Sequence, residues 1–311
     1  MAFKYSNDGP AFVRPAKWRV NCAKTKTAGG RAMSLFIEKL TKAHVWRERI
    51  AEPLHLSLAS MMVGIFGSFR AKVAFDLVAR RPLAFGLLQA ADWARECGIN
   101  KIVAVEFGVA NGAGLMNMCR IAAKVTEVTG VSFEIVGFDT GKGMPKPRDY
   151  RDHPEFYGTG DFPMESQGAL LKRLPKNASI VFGDVSETVK PFLERSSTIG
   201  FISIDVDYYY STVEALAVLG GDPHKYLPWV VMYFDDVEFD RHNPYCGELA
   251  AIQEFNSMHS HRKITEFNFL RQHRVLQRAA WIGHMYIAHV FDHAFRMQER
   301  AQKAVLNNPF L

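Results

Sequence analysis

Five short apolar runs, each closed by an acid, constrain this chain more than any other feature. They are KIVAVEF (101–107), FEIVGFD (133–139), ASIVFGD (178–184), IGFISID (199–205) and WVVMYFDD (229–236). Runs this apolar have no polar face to turn to water. They predict strands covered on both sides, as in a parallel sheet with helices above and below. Two later runs, KITEFNFL (263–270) and AAWIGHMYIAHVF (279–291), have no convincing helix between them and are expected to close the sheet as an antiparallel pair. The expected class is therefore α/β, a three-layer sandwich around a seven-stranded, mostly parallel sheet.

What precedes the sheet is of a different character. Residues 35–98 predict two or three N-terminal helices, among them LAFGLLQAADWAREC, which Gly98 stops. Residues 1–34 read as an irregular arm, and DHAFRMQERAQKAV near the end as a terminal helix. The expected division is thus an arm (1–34), a helical segment (35–98) and the sheet domain (99–311). Charge follows this division: residues 1–50 hold eleven Lys/Arg against three Asp/Glu, the rest 27 against 29. The body is no nucleic-acid platform, and the arm reads as a solvated tail. Cys22, Cys97, Cys119 and Cys246 are scattered and form no CxxC pair, as in a reduced, cytoplasmic protein. The run Leu54–Phe69 is broken by His55, Ser57 and Ser60 and is too short to span a bilayer. A buried helix or a substrate-side cap is expected there, with no membrane partner; the helices of 35–98 could pair across a homodimer.

In an open parallel sheet, ligands bind beyond the carboxyl ends of the strands. Glu106, Asp139, Asp184, Asp205 and Asp235 all fall on that rim. The stretch VAVEFGVANGAGL (103–115) has the spacing E-x-G-x-x-x-G-x-G, not the G-x-G-x-x-G of a dinucleotide loop. Gly108 and Gly112 allow a tight turn and close backbone approach. Glu106 would repel a pyrophosphate and suits a guest bearing an ammonium or sulfonium. Asp139 can accept the hydroxyls of a ribose; Asp184 can accept an adenine amino group and cap the helix that follows. Asp205 and Asp207, two apart, would crowd like charges on one strand face unless a cation compensates. With Asp235 and Asp236 they form an all-oxygen set without cysteine, which favours Mg²⁺, Mn²⁺ or Ca²⁺ over Zn²⁺.

The order Glu-x-Gly-x-x-x-Gly, Asp139, Gly183-Asp184, Asp205-x-Asp207-Tyr and Asp235-Asp236 resembles class I S-adenosylmethionine-dependent methyltransferases. Within them it is most similar to the metal-dependent macrocin O-methyltransferase-like group, which modifies sugar or phenolic hydroxyls. The resemblance covers about residues 100–290 and implies a Rossmann-like methyltransferase fold. It further implies that Glu106, Gly108 and Gly112 hold the methionine portion of the donor. Asp139 with Thr140 would hold the ribose, and Asp184 with Val185 would flank the adenine. Asp205, Asp235 and Asp236 would bind Mg²⁺ or another hard divalent cation, Asp205 doubling as catalytic base. The chain departs from the group in DVDYYYST, where DGDLYEST is usual, so Val206 and Tyr209–Tyr210 leave the small-molecule acceptor open. The basic arm is a second departure.

Gly141–Gln167, rich in Pro, Gly and aromatics, is expected to form a lid over donor and acceptor. His242 is an alternative base; His259 and His261 read as a surface turn without metal. A nicotinamide-dependent oxidoreductase also places an Asp after its second strand, but the glycine spacing is wrong and no Tyr-x-x-x-Lys pair follows the fourth run. A degenerate binding module would have no use for so many crowded acids.

Overall fold

The computed structural model describes residues 52–238 and 243–298. The strands are β1 (Lys101–Phe107), β2 (Ser132–Asp139), β3 (Ala178–Phe182), β4 (Ile199–Ile204), β5 (Tyr226–Phe234), β6 (Arg262–Glu266) and β7 (Met285–Val290). They form one sheet in the order β3-β2-β1-β4-β5-β7-β6. The first five run parallel; β7 is antiparallel to β5, and β6 to β7. This is the three-layer α/β architecture expected, with the antiparallel pair at one edge. Each apolar run overlaps a strand, although β2 and β6 begin one residue and β5 three residues before the run. β6 stops at Glu266 because Phe269 turns left-handed (φ 63°) and starts a short helix, α9 (Leu270–His273), where none was expected.

The preceding helices are α1 (Leu54–Phe66), α2 (Phe69–Ala74), α3 (Arg81–Glu96), α4 (Ala113–Thr129), α5 (Gln167–Arg173), α6 (Val185–Arg195), α7 (Tyr209–Leu216) and α8 (Gly247–Met258). Strand side chains alternate between two cores. Ile102 and Ala104 of β1 pack with Leu87 and Ala91 of α3 and Leu115 and Met118 of α4. Val103, Val105 and Phe107 face Phe192 of α6, Leu216 of α7 and Phe255 of α8. Burying each large side chain contributes about 1.5–3 kcal/mol. α3 lies directly on the sheet, so close that a Cβ on Gly86 would stand 2.3 Å from the Phe201 ring.

An ion pair at 2.7 Å between Arg274 and Asp76 locks α2 to the segment after α9, with both side chains buried. Arg274 Nη2 also donates to the carbonyls of Val73 (2.8 Å) and Ala74 (3.0 Å), and Trp281 Nε1 donates to Asp76 Oδ2 (3.1 Å).

Three expectations fare differently. The run from Leu54 is helical but not buried: Leu54, Leu58, Met61, Met62, Ile65 and Phe66 are each more than half exposed. The arm, its boundary at 34/35 and the chain beyond 298 lie outside the described residues, and before that point only a 3₁₀ turn, Ala294–Met297, follows β7. Among the described residues no helix is long and apolar enough to cross a membrane.

Candidate active site

Chain order reverses between β1 and β4, which opens a crevice at their carboxyl ends. Glu106, next to last in β1, follows Ile102 and Ala104 on the face beneath α4. Its Oε1 lies 2.1 Å from where a Cβ on Gly114 would stand, so only glycine fits above it. Its Oε2 is buried without a hydrogen-bond partner. Burial pushes the Glu106 carboxyl up to about 8; Arg80 opposes this and Asp139 adds to it. The nearby helix N-terminus would favour the anion, but loss of water outweighs it.

The loop between β1 and α4 turns on two glycines, as expected. Gly108 (φ 88°) crosses so close to the next strand end that a Cβ would fall 1.7 Å from the Asp205 carbonyl oxygen, and Gly112 (φ 80°) caps α4. Asp139 organises this loop. Its Oδ2 accepts from the amides of Val109 (2.9 Å) and Ala110 (2.8 Å), and its Oδ1 from Gly141 (2.5 Å). A carboxylate has about four acceptor directions, so roughly one stays open for a ribose hydroxyl. Thr140 is exposed and accepts from the Lys142 amide at 3.1 Å. Asp184 caps α6 as expected: its Oδ1 accepts from the Ser186 amide (2.9 Å) and hydroxyl (2.6 Å). Those bonds hold its carboxyl below the usual range. Val185, half-buried, follows it.

One oxygen each from Asp205, Asp235 and Asp236 lie within 4.8 Å of one another, a compact hard-donor set. Asp205 and Asp236 are pushed well above the carboxylate range, first by burial and then by neighbouring acids; for Asp205 the largest of these is Asp235, for Asp236 it is Asp207. Tyr233 donates to Asp235. Asp207 joins the group, but not by strand alternation: β4 ends at Ile204 and Asp207 sits in a left-handed turn (φ 58°). Burial raises its carboxyl to about 6 against hydrogen bonds with Asp236 and Tyr157.

Residues 141–166 are a built loop, tied down along its length. The Glu165 amide donates to Asn111 Oδ1 (2.9 Å), next to the glycine turn. Asp152, buried, accepts from the amides of Arg148 (2.8 Å) and Tyr210 (3.1 Å). Arg148 pairs with Glu214 at 2.6 Å, and the Arg151 guanidinium lies 4.2 Å from the Tyr209 ring centroid and 4.8 Å from that of Tyr210. Tyr210 also donates to Asp149 Oδ2 at 3.0 Å. The tyrosines that depart from the family pattern thus receive the loop's arginine. At the loop's far end, Tyr157 Oη donates to Asp236 Oδ1 at 3.3 Å, above the acid cluster.

Sequence reasoning missed Glu248 and Tyr157. Glu248 is buried, accepts from the Asp236 amide through Oε2 (2.9 Å) and leaves Oε1 without a partner. A signal existed: Glu248, Ala251, Ile252 and Phe255 recur at three and four, all buried, which puts an acid on an apolar helix face. Nothing in the sequence singles out Tyr157. His242, the alternative base, lies outside the described residues.

No family model and no curated protein sequence matches the chain. Solved structures do resemble it. The calicheamicin methyltransferase CalS11 is 22% identical, with 69% of this chain and 88% of that one covered and a TM-score of 0.43. The O-methyltransferase NovP is 16% identical, with 57% and 72% covered and a TM-score of 0.43. The plantazolicin methyltransferase BpumL, solved with a triazolic desmethylPZN analog and S-adenosylhomocysteine (SAH), is 8% identical, with 74% and 95% covered and a TM-score of 0.34. At this distance the residues of the chain itself must carry any functional reading.

Proposed function

We propose that the chain is an S-adenosylmethionine-dependent O-methyltransferase that acts on a hydroxyl of a small molecule with the help of a hard divalent cation. The observation that carries this reading is Glu106: a buried carboxyl with an unpartnered oxygen, at the switch point of the sheet, beside a glycine turn. A phosphate guest would meet like charge there. A cationic amino acid–nucleoside would relieve the buried acid.

Glu106 accepts hydrogen bonds from the donor's ammonium, and the Gly108–Gly112 turn lets the backbone lie against its methionine chain. Asp139, while it holds the turn in shape, offers its remaining acceptor direction to a ribose hydroxyl. Asp184 and Val185 border the adenine. Asp205, Asp235 and Asp236 fit a hard divalent cation because their oxygens are all carboxylate and lie within 4.8 Å of one another. Such a cation would supply positive charge that lowers the pKa of the acceptor hydroxyl. Asp205 takes the proton from that hydroxyl. The acceptor oxygen bonds to the methyl carbon, the carbon–sulfur bond breaks, and its electron pair stays on sulfur, which leaves as a neutral thioether. The 141–166 loop keeps water from the reactants and holds them aligned, which is worth several orders of magnitude in rate. Glu248 fixes the Asp236 backbone from below.

Calorimetry on the full chain with Mg²⁺ tests the reading. Titration with SAH is expected to give saturable heat and titration with NADH none; the reverse result would replace the methyltransferase by a nicotinamide enzyme.

A further inference from the structure

We infer that Tyr157 is a positioning residue of the cation site: its phenol holds Asp236 in the ligating arrangement and so ties closure of the 141–166 loop to cation binding. This deepens the reading above and rests on its divalent cation.

Asp236 is gripped from two sides. Its amide donates to Glu248 Oε2 at 2.9 Å, and its Oδ1 accepts from Tyr157 Oη at 3.3 Å. The first grip comes from α8 and the second from the loop, yet both rest on the same helix start. A Cβ on Gly247, which begins α8 beside Glu248, would stand 3.3 Å from Nε2 of the buried His153. His153 in turn sets Tyr157, because its carbonyl accepts from the amides of Phe156 (2.9 Å) and Tyr157 (3.1 Å). The Tyr157 ring meets the buried ring of Tyr208 edge-on, with centroids 6.0 Å apart. A packed frame thus delivers the phenol to Asp236. The loop's other fastenings end on Asn111, Glu214, Tyr209 and Tyr210, none of them a candidate ligand.

A carboxylate has about four acceptor directions, so a phenol on Oδ1 leaves Asp236 able to bind a cation. A hydrogen bond to a ligating carboxylate sets its orientation before the ion arrives. Such outer contacts typically contribute about 10- to 100-fold in metal affinity. One neutral donor at 3.3 Å belongs at the low end of that range. Linkage makes the effect reciprocal: a loop that helps the cation bind is held shut by the cation, by the same factor.

Tyr157→Phe removes the hydroxyl and keeps the ring against Tyr208. In calorimetric titration of the full chain, Mn²⁺ affinity is expected to fall about tenfold. Saturating Mn²⁺ should slow protease cleavage within 141–166 by a similar factor in the wild type, and hardly at all in Tyr157→Phe. SAH affinity, read in chelator, should match the wild type, because Glu165 and Asn111 hold the loop separately beside the glycine turn. Unchanged Mn²⁺ affinity in Tyr157→Phe would overturn the inference. So would a wild-type loop that Mn²⁺ leaves unprotected, or protection that survives the substitution. Equal weakening of Mn²⁺ and SAH would make Tyr157 a scaffold residue and overturn it as well. If the wild-type chain bound no Mn²⁺, the cation reading itself would fall and take this assignment with it.

Discussion

The Asp139 carboxylate holds Ala110 in a left-handed turn: Oδ2 accepts the Ala110 amide at 2.8 Å, and Ala110 sits at φ 45°. The acid expected to meet the ribose is first a brace for the glycine loop. Asp139→Ala would leave the amides of Val109, Ala110 and Gly141 without their acceptor. Lost bonds of this kind cost about 1–3 kcal/mol. SAH and 5′-methylthioadenosine, the same nucleoside thioether without the amino acid, should both weaken, by roughly 10- to 100-fold. Selective loss of SAH alone would contradict the bracing role.

The acid cluster makes stability depend on pH in an unusual direction. Unfolded carboxyls ionise near pH 4, whereas the folded chain holds the Glu106 proton to about 8 and the Asp207 proton to about 6, through burial first. Between those values the unfolded chain binds fewer protons, so stability is present at low pH and lost as pH rises. Asp184, held below the usual range, acts only under about pH 4. The melting temperature of chelator-treated protein should therefore fall between about pH 5 and 8, as read by scanning fluorimetry. Added Mn²⁺ or Mg²⁺ should raise it more at the upper end. A melting temperature that climbs across this range without metal would sink the account.

The loop over the site is fastened through Arg151 to the rings of Tyr209 and Tyr210. Arg151→Ala removes both stacking contacts and the pair with Asp149. Protease cleavage within 141–166 should speed up several-fold, with the thermal transition little shifted, since cation–π contacts at exposed sites are weak. Cleavage as slow as in the wild type would show that Asp152 and Asn111 suffice.

Arg274→Met strands Asp76 in the core, and Asp76→Asn does the same to Arg274. Each is expected to cost about 3–5 kcal/mol in urea denaturation, because a buried charge loses its partner. The double variant should cost less than the sum of the two. Strict additivity would mean that the pair is not coupled.

The sheet was legible because apolar runs without a wet face admit few other arrangements. Each acid on the rim followed from where its run stopped. Other features escaped for identifiable reasons. Asp207 reaches the cluster through a left-handed turn that strand periodicity cannot express. Tyr157 and Asn111 depend on the path of a loop, which no local pattern encodes. The exposed face of α1 corrects the buried helix expected there: apolar content alone does not say which way a helix is turned. Glu248 was within reach, as an acid at a buried helical position.

The indole of Trp281 donates to the same aspartate that Arg274 binds. Any event that lifts α2 from its seat must therefore change the polarity around that chromophore. Trp281 is one of five tryptophans, so the part of the emission that Trp281→Phe removes is a built-in optical gauge of whether the leading helices are docked.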